Sequence, residues 1–473
     1  MNEQAIHTVE STLPIAVFLL PVAAAGIVAL GRNRGRWLWH ATAVVGSAVT
    51  LGVSIAIVRE VLSGVVLTSW GNQLRVDGLS ALLAVLIGLI GFIATVYSLR
   101  YMAHEDSSKQ PPQEAAPRRK PWIYYSLLLT FLGTMEWGCV TNNVIVLYVA
   151  VEATTLASGL LVSFYWDKRA LEAGYKYLML LTVGLTFALF GCVLLYAAGA
   201  ATGEIAGSDA LLLSELKGVG HLIPGGTAMI TVAFLVVGFG TKAGIAPFHP
   251  WLPDAHAEAP TPISVLLSGL MIKVAAYALA RTVSIFYSST PTLSIFVVAM
   301  GAFTMVVGIV MALAQDDLKR MLAFSSVSQM GYIVAGLGVG TYLGIYGGLF
   351  HLVNHTIFKS LLFLCVGALI YSTGGLRRIS QMSGMSKLMP ITALCFFVGC
   401  LSIGGIPPFN GFMSKFTIFV ALVDKGMVWA AVIGMITSLL TLACLIHAAY
   451  SVFWGTTRVE GVSNNRGVKE VPA

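Results

Sequence analysis

The stretch Gly240-Thr-Lys242-Ala-Gly-Ile-Ala-Pro247-Phe-His249-Pro250-Trp-Leu-Pro253 decides how this chain is built. It closes an apolar run that begins near Thr227. Its three prolines, spaced three apart, cannot sit in a regular helix because each lacks the N–H the ladder needs. The expected element is a helix broken within the membrane, with a lysine beside the break. A second stretch, Gly404-Gly-Ile-Pro407-Pro408-Phe-Asn-Gly411-Phe-Met-Ser-Lys415, repeats the device. Ala243–His249 and Gly404–Asn410 agree at four of seven positions, and the two runs are five spans apart, so they have opposite orientations. Paired interrupted helices in two inverted halves point to an ion path at the repeat interface. Backbone groups freed at that depth need water or buried protein around them.

Composition agrees with this setting. Of 473 residues, 57% are hydrophobic and 10% charged, against about 25% charged in soluble domains, which excludes the water-soluble classes. Apolar runs of membrane-crossing length fall at 12–30, 37–58, 76–99, 122–139, 144–166, 171–198, 227–248, 263–287, 293–314, 321–339, 343–371, 389–422 and 428–454. The expected fold is all-α: a polytopic membrane protein of about thirteen helices, with two inverted five-helix repeats and breaks in helices 7 and 12. This divides the chain into 1–121 (helices 1–3 and a loop), 122–287 (first repeat), 288–457 (second, inverted repeat) and 458–473 (tail). The segments left over, 100–121 and 199–226, are too short for a soluble catalytic domain. The leader with Glu3 and Glu10 lacks a clear cleavage site, so the first helix reads as retained. Six cysteines in or beside apolar runs, with no CxxC pair, read as packing residues. Gly336-Leu-Gly-Val-Gly340 reads as a loop after an apolar helix, and His256-Ala-Glu258 lacks the Pro-Cys-x-x-Cys of a zinc deaminase. No cofactor is expected in this chain.

Basic residues set the topology. Alternate loops hold Arg32, Arg34, Arg36, Arg100, Lys109, Arg118, Arg119, Lys120, Lys168, Arg169, Lys319, Arg320, Arg377, Arg378, Lys387, Arg458, Arg466 and Lys469; the opposite loops hold Arg59, Arg75, Lys217 and Lys425. The amino terminus is expected outside and the carboxyl terminus in the cytoplasm. Six basic residues remain within spans: Lys176, Lys242, Lys273, Arg281, Lys359 and Lys415. Lys176 and Arg281 lie near span ends, where they can snorkel. The other four, with Glu152, lie deep, at a cost on the order of 3 kcal/mol each. Glu152 with Lys176 is a candidate ion pair, yet one central glutamate cannot neutralise four central lysines. His351, His355 and Lys359 recur every four residues, forming a polar stripe about 12 Å long on one helical face. Two histidines aligned with a lysine suit a proton relay, whereas lone His447 reads as a packing residue.

The strings Val151-Glu-Ala-Thr154, Lys176-Tyr-Leu, Lys242 to His256, Pro260-Thr-Pro-Ile-Ser264, Gln315 to Arg320, Ser325-Ser-Val-Ser-Gln-Met-Gly331 and Gly404 to Gly411 resemble the antiporter-like family. Members occur in the complex I membrane arm, multisubunit cation/proton antiporters and membrane-bound hydrogenases. Glu152–Ser158 and Phe248–His256 look most like the F-type component of hydrogenase-4 and formate hydrogenlyase. The resemblance implies roles for Glu152 as the helix-five glutamate, Lys242 as the lysine of broken helix seven, Lys273 as the connecting lysine and Lys415 as the terminal lysine. It places His355 and Lys359 in the helix-eleven relay. The family core usually has fourteen helices, and this chain reads as stopping after thirteen without a long lateral helix. Glu136 matches no family role and is read as facing external water.

The expected function is proton translocation within a larger membrane complex of complex I-like or hydrogenase type. The expected path is Glu152, Lys176, Lys242, Lys273, His351, His355, Lys359 and Lys415, with His249, Asp254, His256, Glu258 and Asp317 as access or gating groups. Redox cofactors would belong to peripheral catalytic partners, beside other membrane-arm subunits, in a bacterial or archaeal cytoplasmic membrane. Two alternatives stay open: membership of a multisubunit Na+(K+)/H+ antiporter, and a proton flow that energises a reaction such as CO2 hydration. Whether the chain counts as part of an oxidoreductase also stays open, since it shows no redox or hydrolytic motif itself.

Overall fold

The computed structural model describes residues 7–107, 121–287 and 291–459. Glu3, Lys109, Arg118, Arg119, Lys120, Arg466 and Lys469 lie outside the described residues, as does most of the 458–473 tail. The described helices are α1 Leu13–Leu30, α2 Arg36–Leu62, α3 Gly78–Ser107, α4 Pro121–Val140, α5 Val144–Val162, α6 Lys168–Ala200, α7 Leu213–Val219, α8 Gly225–Ala243 and α9 Trp251–Glu258. They continue with α10 Thr261–Leu266, α11 Ile272–Val283, α12 Pro291–Leu313, α13 Leu318–Gly338, α14 Tyr342–Ser372, α15 Pro390–Gly404, α16 Asn410–Asp424 and α17 Val428–Phe453. Among the described residues, eleven helical stretches are long and apolar enough to cross a membrane. Helix α4 and the interrupted pair α15–α16 occupy the two further places where the sequence reading put spans. The chain is thus an all-α integral membrane protein.

Local sequence explains the helix ends. Asn143 caps α5 by accepting from the N–H groups of Ile145 and Val146 (3.0 and 3.2 Å). Asp317 caps α13 in the same way, through Lys319 and Arg320 (2.9 and 3.1 Å). Such caps satisfy amides that have no partner inside the helix. Between α10 and α11 the backbone makes a π-turn at Leu267–Met271, two residues before Lys273.

Both predicted breaks are present. Helix α8 ends at Ala243 and α15 at Gly404. Each is followed by a glycine with positive φ, Gly244 at 74° and Gly405 at 79°, a conformation other residues resist, and by a cis X-Pro bond, at Ala246–Pro247 and Pro407–Pro408. In each break the phenylalanine N–H then closes back on the isoleucine carbonyl, Phe248 on Ile245 (2.8 Å) and Phe409 on Ile406 (2.9 Å). The echo read in the sequence is therefore also a match of local backbone.

Two units are distinguished: Met1–Ala243 with Leu270–Pro291, and Gly244–Gly269 with Thr292–Ala473. In the first, α6 and α8 pack so closely that a Cβ on Gly238 would meet the Ala188 backbone nitrogen at 2.3 Å, the small-residue contact that membrane helices use in place of hydrophobic drive. Strands β1 (His7–Glu10), β2 (Val65–Ser69) and β3 (Leu74–Val76) form a small sheet, β1 parallel and β3 antiparallel to β2. Leu67, Leu74 and Val76 of this sheet pack against Val17, Phe18, Ile57 and Val140. In the second unit, α13 is wholly buried although it is the least apolar span. Its Tyr332 and Ala335 pack with Met305, Ile418, Ala421 and Ala430. The glycine-rich run read as a loop instead begins within α13, which includes Gly336 and Gly338; there a Cβ would collide with Gly348 and Val297.

Candidate functional site

Lys242, Lys273, Lys359 and Lys415 are each at most 2% exposed. In the first unit, Glu152, Thr155 and Ser158 recur every three residues on α5. The Lys242 ammonium donates to Thr155 Oγ1 (2.6 Å) and lies 5.9 Å from the centre of the Tyr177 ring, within cation–π reach. Tyr177 in turn shares a 2.5 Å hydrogen bond with Ser158, and its hydroxyl donates to Met271 Sδ at 3.1 Å. Met271 closes the π-turn before Lys273. A line of hydroxyls thus leads from Lys242 toward the backbone that carries Lys273.

In the second unit, Lys359 donates to Ser325 Oγ (2.5 Å) and to the Leu322 carbonyl (2.8 Å). One and two turns earlier on α14, the His355 and His351 rings stack with centroids 6.3 Å apart. His351 contacts Gln329 Oε1 through Nε2 (3.1 Å) and Ser414 Oγ through Nδ1 (3.0 Å). With the glutamine oxygen as acceptor, Nε2 carries the proton and Nδ1 is free to accept. The next residue, Lys415, donates to Ser438 Oγ (3.0 Å) and the Ile403 carbonyl (2.8 Å). That carbonyl belongs to the last turn of α15, so the ammonium meets the negative end of the helix dipole where the break leaves acceptors unpaired. The structure therefore brings Lys359, His355, His351 and Lys415 into one neighbourhood.

The remaining expected residues fall elsewhere. Glu152 is half-buried and accepts from Thr182 Oγ1 (3.2 Å). Lys176 has an ion partner on its own helix, Glu172 at 2.7 Å, with both side chains about half exposed, so its expected pairing with Glu152 has a competitor. Arg281, expected to snorkel toward the span end, pairs with Asp77, Nη1 to Oδ2 at 2.6 Å. Glu136, expected to face water, is 0% exposed. His447, expected to be packed, is exposed on α17.

The candidate gating groups Asp254, Glu258 and Asp317 sit in ion pairs. Arg320 reaches Asp254 at 2.5 Å, and Arg377 reaches both Glu258 (3.1 Å) and Asp317 (2.8 Å). These contacts clasp the end of α9 to the start of α13. His249 is buried against Phe324, and His256 stacks on Phe363 at 5.0 Å. Sequence reasoning assigned no role to Thr155, Ser158, Tyr177, Ser325, Gln329, Ser414 or Ser438. The density of hydroxyls in Ser325-Ser-Val-Ser328 was the one available signal. Among the described residues no group of three or more His, Cys, Asp or Glu side chains is placed to hold a metal ion.

Broken helices flanked by buried lysines on hydroxyl partners define a polytopic membrane protein of the ion-translocating kind. Residues 141–441 match the family described as NADH:quinone oxidoreductase/Mrp antiporter, TM, and residues 69–110 match NADH-Ubiquinone oxidoreductase (complex I), chain 5 N-terminus. The chain belongs to this antiporter-like family. It is 34% identical over 395 residues to the Hydrogenase-4 component F homolog of Methylacidiphilum infernorum, covering 82% of this chain and 80% of that protein. It is 37% identical over 366 residues to a Na(+)/H(+) antiporter component of Alkalihalophilus pseudofirmus, covering 73% of this chain but only 42% of that longer protein. The Mrp complex from Dietzia sp. DQ12-45-1b contains a chain that matches with a TM-score of 0.83 and 25% identity, over 97% of this chain and 84% of that one.

Proposed function

We propose that this chain is the proton-translocating subunit of a complex I-like or hydrogenase-type membrane complex. Lys242 and Lys273 would act in the first unit, and Lys359, His355, His351 and Lys415 in the second. One observation carries the reading: Lys242, Lys359 and Lys415 are buried, and each donates to a hydroxyl, of Thr155, Ser325 and Ser438, while none of the ion pairs among the described residues involves them. A hydroxyl accepts from an ammonium and, by rotating, donates to the neutral amine. Either protonation state is therefore satisfied, and a proton can leave without orphaning a buried counter-ion, which would cost several kcal/mol. A purely structural lysine would be better served by a carboxylate.

Glu152 and Lys176 act in this proposal as the control pair at the flank of the first unit, where the exposed face of α6 also carries Glu172, Thr182 and Thr186. Polar groups on a membrane flank are costly against lipid, which supports a neighbouring membrane-arm protein there. Redox centres would reside in peripheral partners. The bias of basic loops supports an amino terminus outside and a carboxyl terminus in the cytoplasm of a bacterial or archaeal cell. The clasped His249, Asp254, His256, Glu258 and Asp317 region is the proposed access gate.

The test is proton transfer by the intact complex in vesicles, followed with an internal pH dye. Lys242→Ala and Lys415→Ala should each reduce it at least tenfold, with assembly retained. Wild-type transfer in both variants would refute the proton path. The likeness to antiporter components favours one second reading, Na+(K+)/H+ exchange. In that case transfer would require the cation and would follow its gradient.

A further inference from the structure

Glu136 is a buried ionisable group that the path above does not use. It lies in the last turns of α4, 0% exposed. The Ser54 hydroxyl of α2, which donates to the Thr50 carbonyl at 2.9 Å, lies a long 3.5 Å from Oε1, and Oε2 has no hydrogen-bond partner. None of the ion pairs among the described residues involves it. Of the basic residues on packed elements, Lys273 lies on α11, buried, one residue before the Val274 that meets α4. Helix α1 has no titratable side chain. His40 of α2 packs on Tyr125, near the other end of α4, and Arg281 of α11 is engaged by Asp77. An unpaired carboxylate at this depth costs several kcal/mol, whereas the neutral acid costs far less.

Two features place polar surroundings near this group. The end of α4 borders a cavity of about 260 Å³, lined by Asp77, Thr141, Asn142, Lys217, Tyr277 and Arg281 among others. Thr141 is five residues beyond Glu136, about 7.5 Å along a helix axis. At this end Arg281 donates to Ser80 (3.0 Å), Ser80 shares a hydrogen bond with Tyr277 (3.0 Å), and Tyr277 donates to the Cys139 carbonyl (2.8 Å), in the turn of α4 that follows Glu136. On the inner side α4 meets α11 closely: a Cβ on Gly138 would lie 3.2 Å from Val274, the neighbour of Lys273 in sequence.

We propose that Glu136 is a second intramembrane proton-binding site, which exchanges its proton with water in this cavity and stands beside the Lys273 level of the path. Its use in transfer rests on the proton reading above. The exchange itself does not, and can be measured separately.

Infrared spectroscopy of the complex in vesicles reads the carboxyl directly. The wild type should show a carboxylic C=O band that moves when H2O is replaced by D2O and disappears in Glu136→Gln. Ser54→Ala, which removes the hydroxyl beside Oε1, should shift that band. Should Glu136→Gln fail to assemble, Glu136→Asp should displace the band instead. Identical carboxylic spectra in the wild type and the variant would overturn the proposal, as would a band unmoved by D2O. Neither result bears on Lys242 or Lys415, so failure here is distinguishable from failure of the main path.

Discussion

At the scale of the residue, the informative contact is lysine on hydroxyl. Thr155, Ser325 and Ser438 each meet a buried ammonium, and a hydroxyl can serve both protonation states. Thr155→Val keeps the shape of the side chain and deletes this capacity. It should slow vesicle proton transfer about tenfold, equivalent to ~1.4 kcal/mol, and Thr155→Ser should restore most of the rate. Wild-type transfer in Thr155→Val would reduce the hydroxyl to a packing group. The lysines themselves were legible in the sequence because charge is rare in apolar runs. Their hydroxyl partners were not, because serine and threonine are common in membrane helices and commonly bond their own backbone, as Thr154 and Thr356 do here.

At the scale of the element, the two breaks and the Asp77–Arg281 tie decide where functional groups sit. Asp77 precedes α3, outside the span. Burial pushes its carboxyl up, but the Arg281 guanidinium and the Leu79 and Ser80 N–H groups more than reverse this and hold it at about 2, below its ordinary 3.8. A carboxyl depressed by folding stabilises fully above its unfolded value and loses that contribution as pH falls through the folded value. The tie should therefore contribute on the order of 2 kcal/mol above about pH 5 and vanish near pH 2. Thermal unfolding of the detergent-solubilised chain checks this: the gap between wild type and Asp77→Asn should be flat above pH 5 and should close below pH 4. Parallel curves down to pH 3 would show that the pair does not anchor α11 to α3. Proline positions revealed the breaks, but Arg281 was read as a snorkelling anchor because Asp77 is 204 residues away in sequence.

At the scale of the whole molecule, the outward face of α6 matters most. Glu172, Lys176, Thr182 and Thr186 are exposed there among apolar side chains such as Leu171, Met179, Val183 and Phe187. If a neighbouring protein of the complex covers this face, Thr182→Cys should react with a lipid-soluble maleimide severalfold more slowly in the intact complex than in the isolated chain. Equal labelling would leave the face open to lipid and would count against a partner at this flank.

The class was legible in the residues alone: apolar runs of bilayer length, proline-broken spans, and charges costly to bury. Local chemistry and solvent transfer set these features, and both are carried by neighbours along the chain. Tertiary packing settled which hydroxyls Lys242, Lys359 and Lys415 meet, that Arg281 is held by Asp77, and that Glu136 is buried. Those contacts join helices far apart in sequence, where spacing carries no signal. The broken helix at Lys242 marks the division: proline and glycine foretold the break, and packing against α5 and α6 supplied the partners of its lysine.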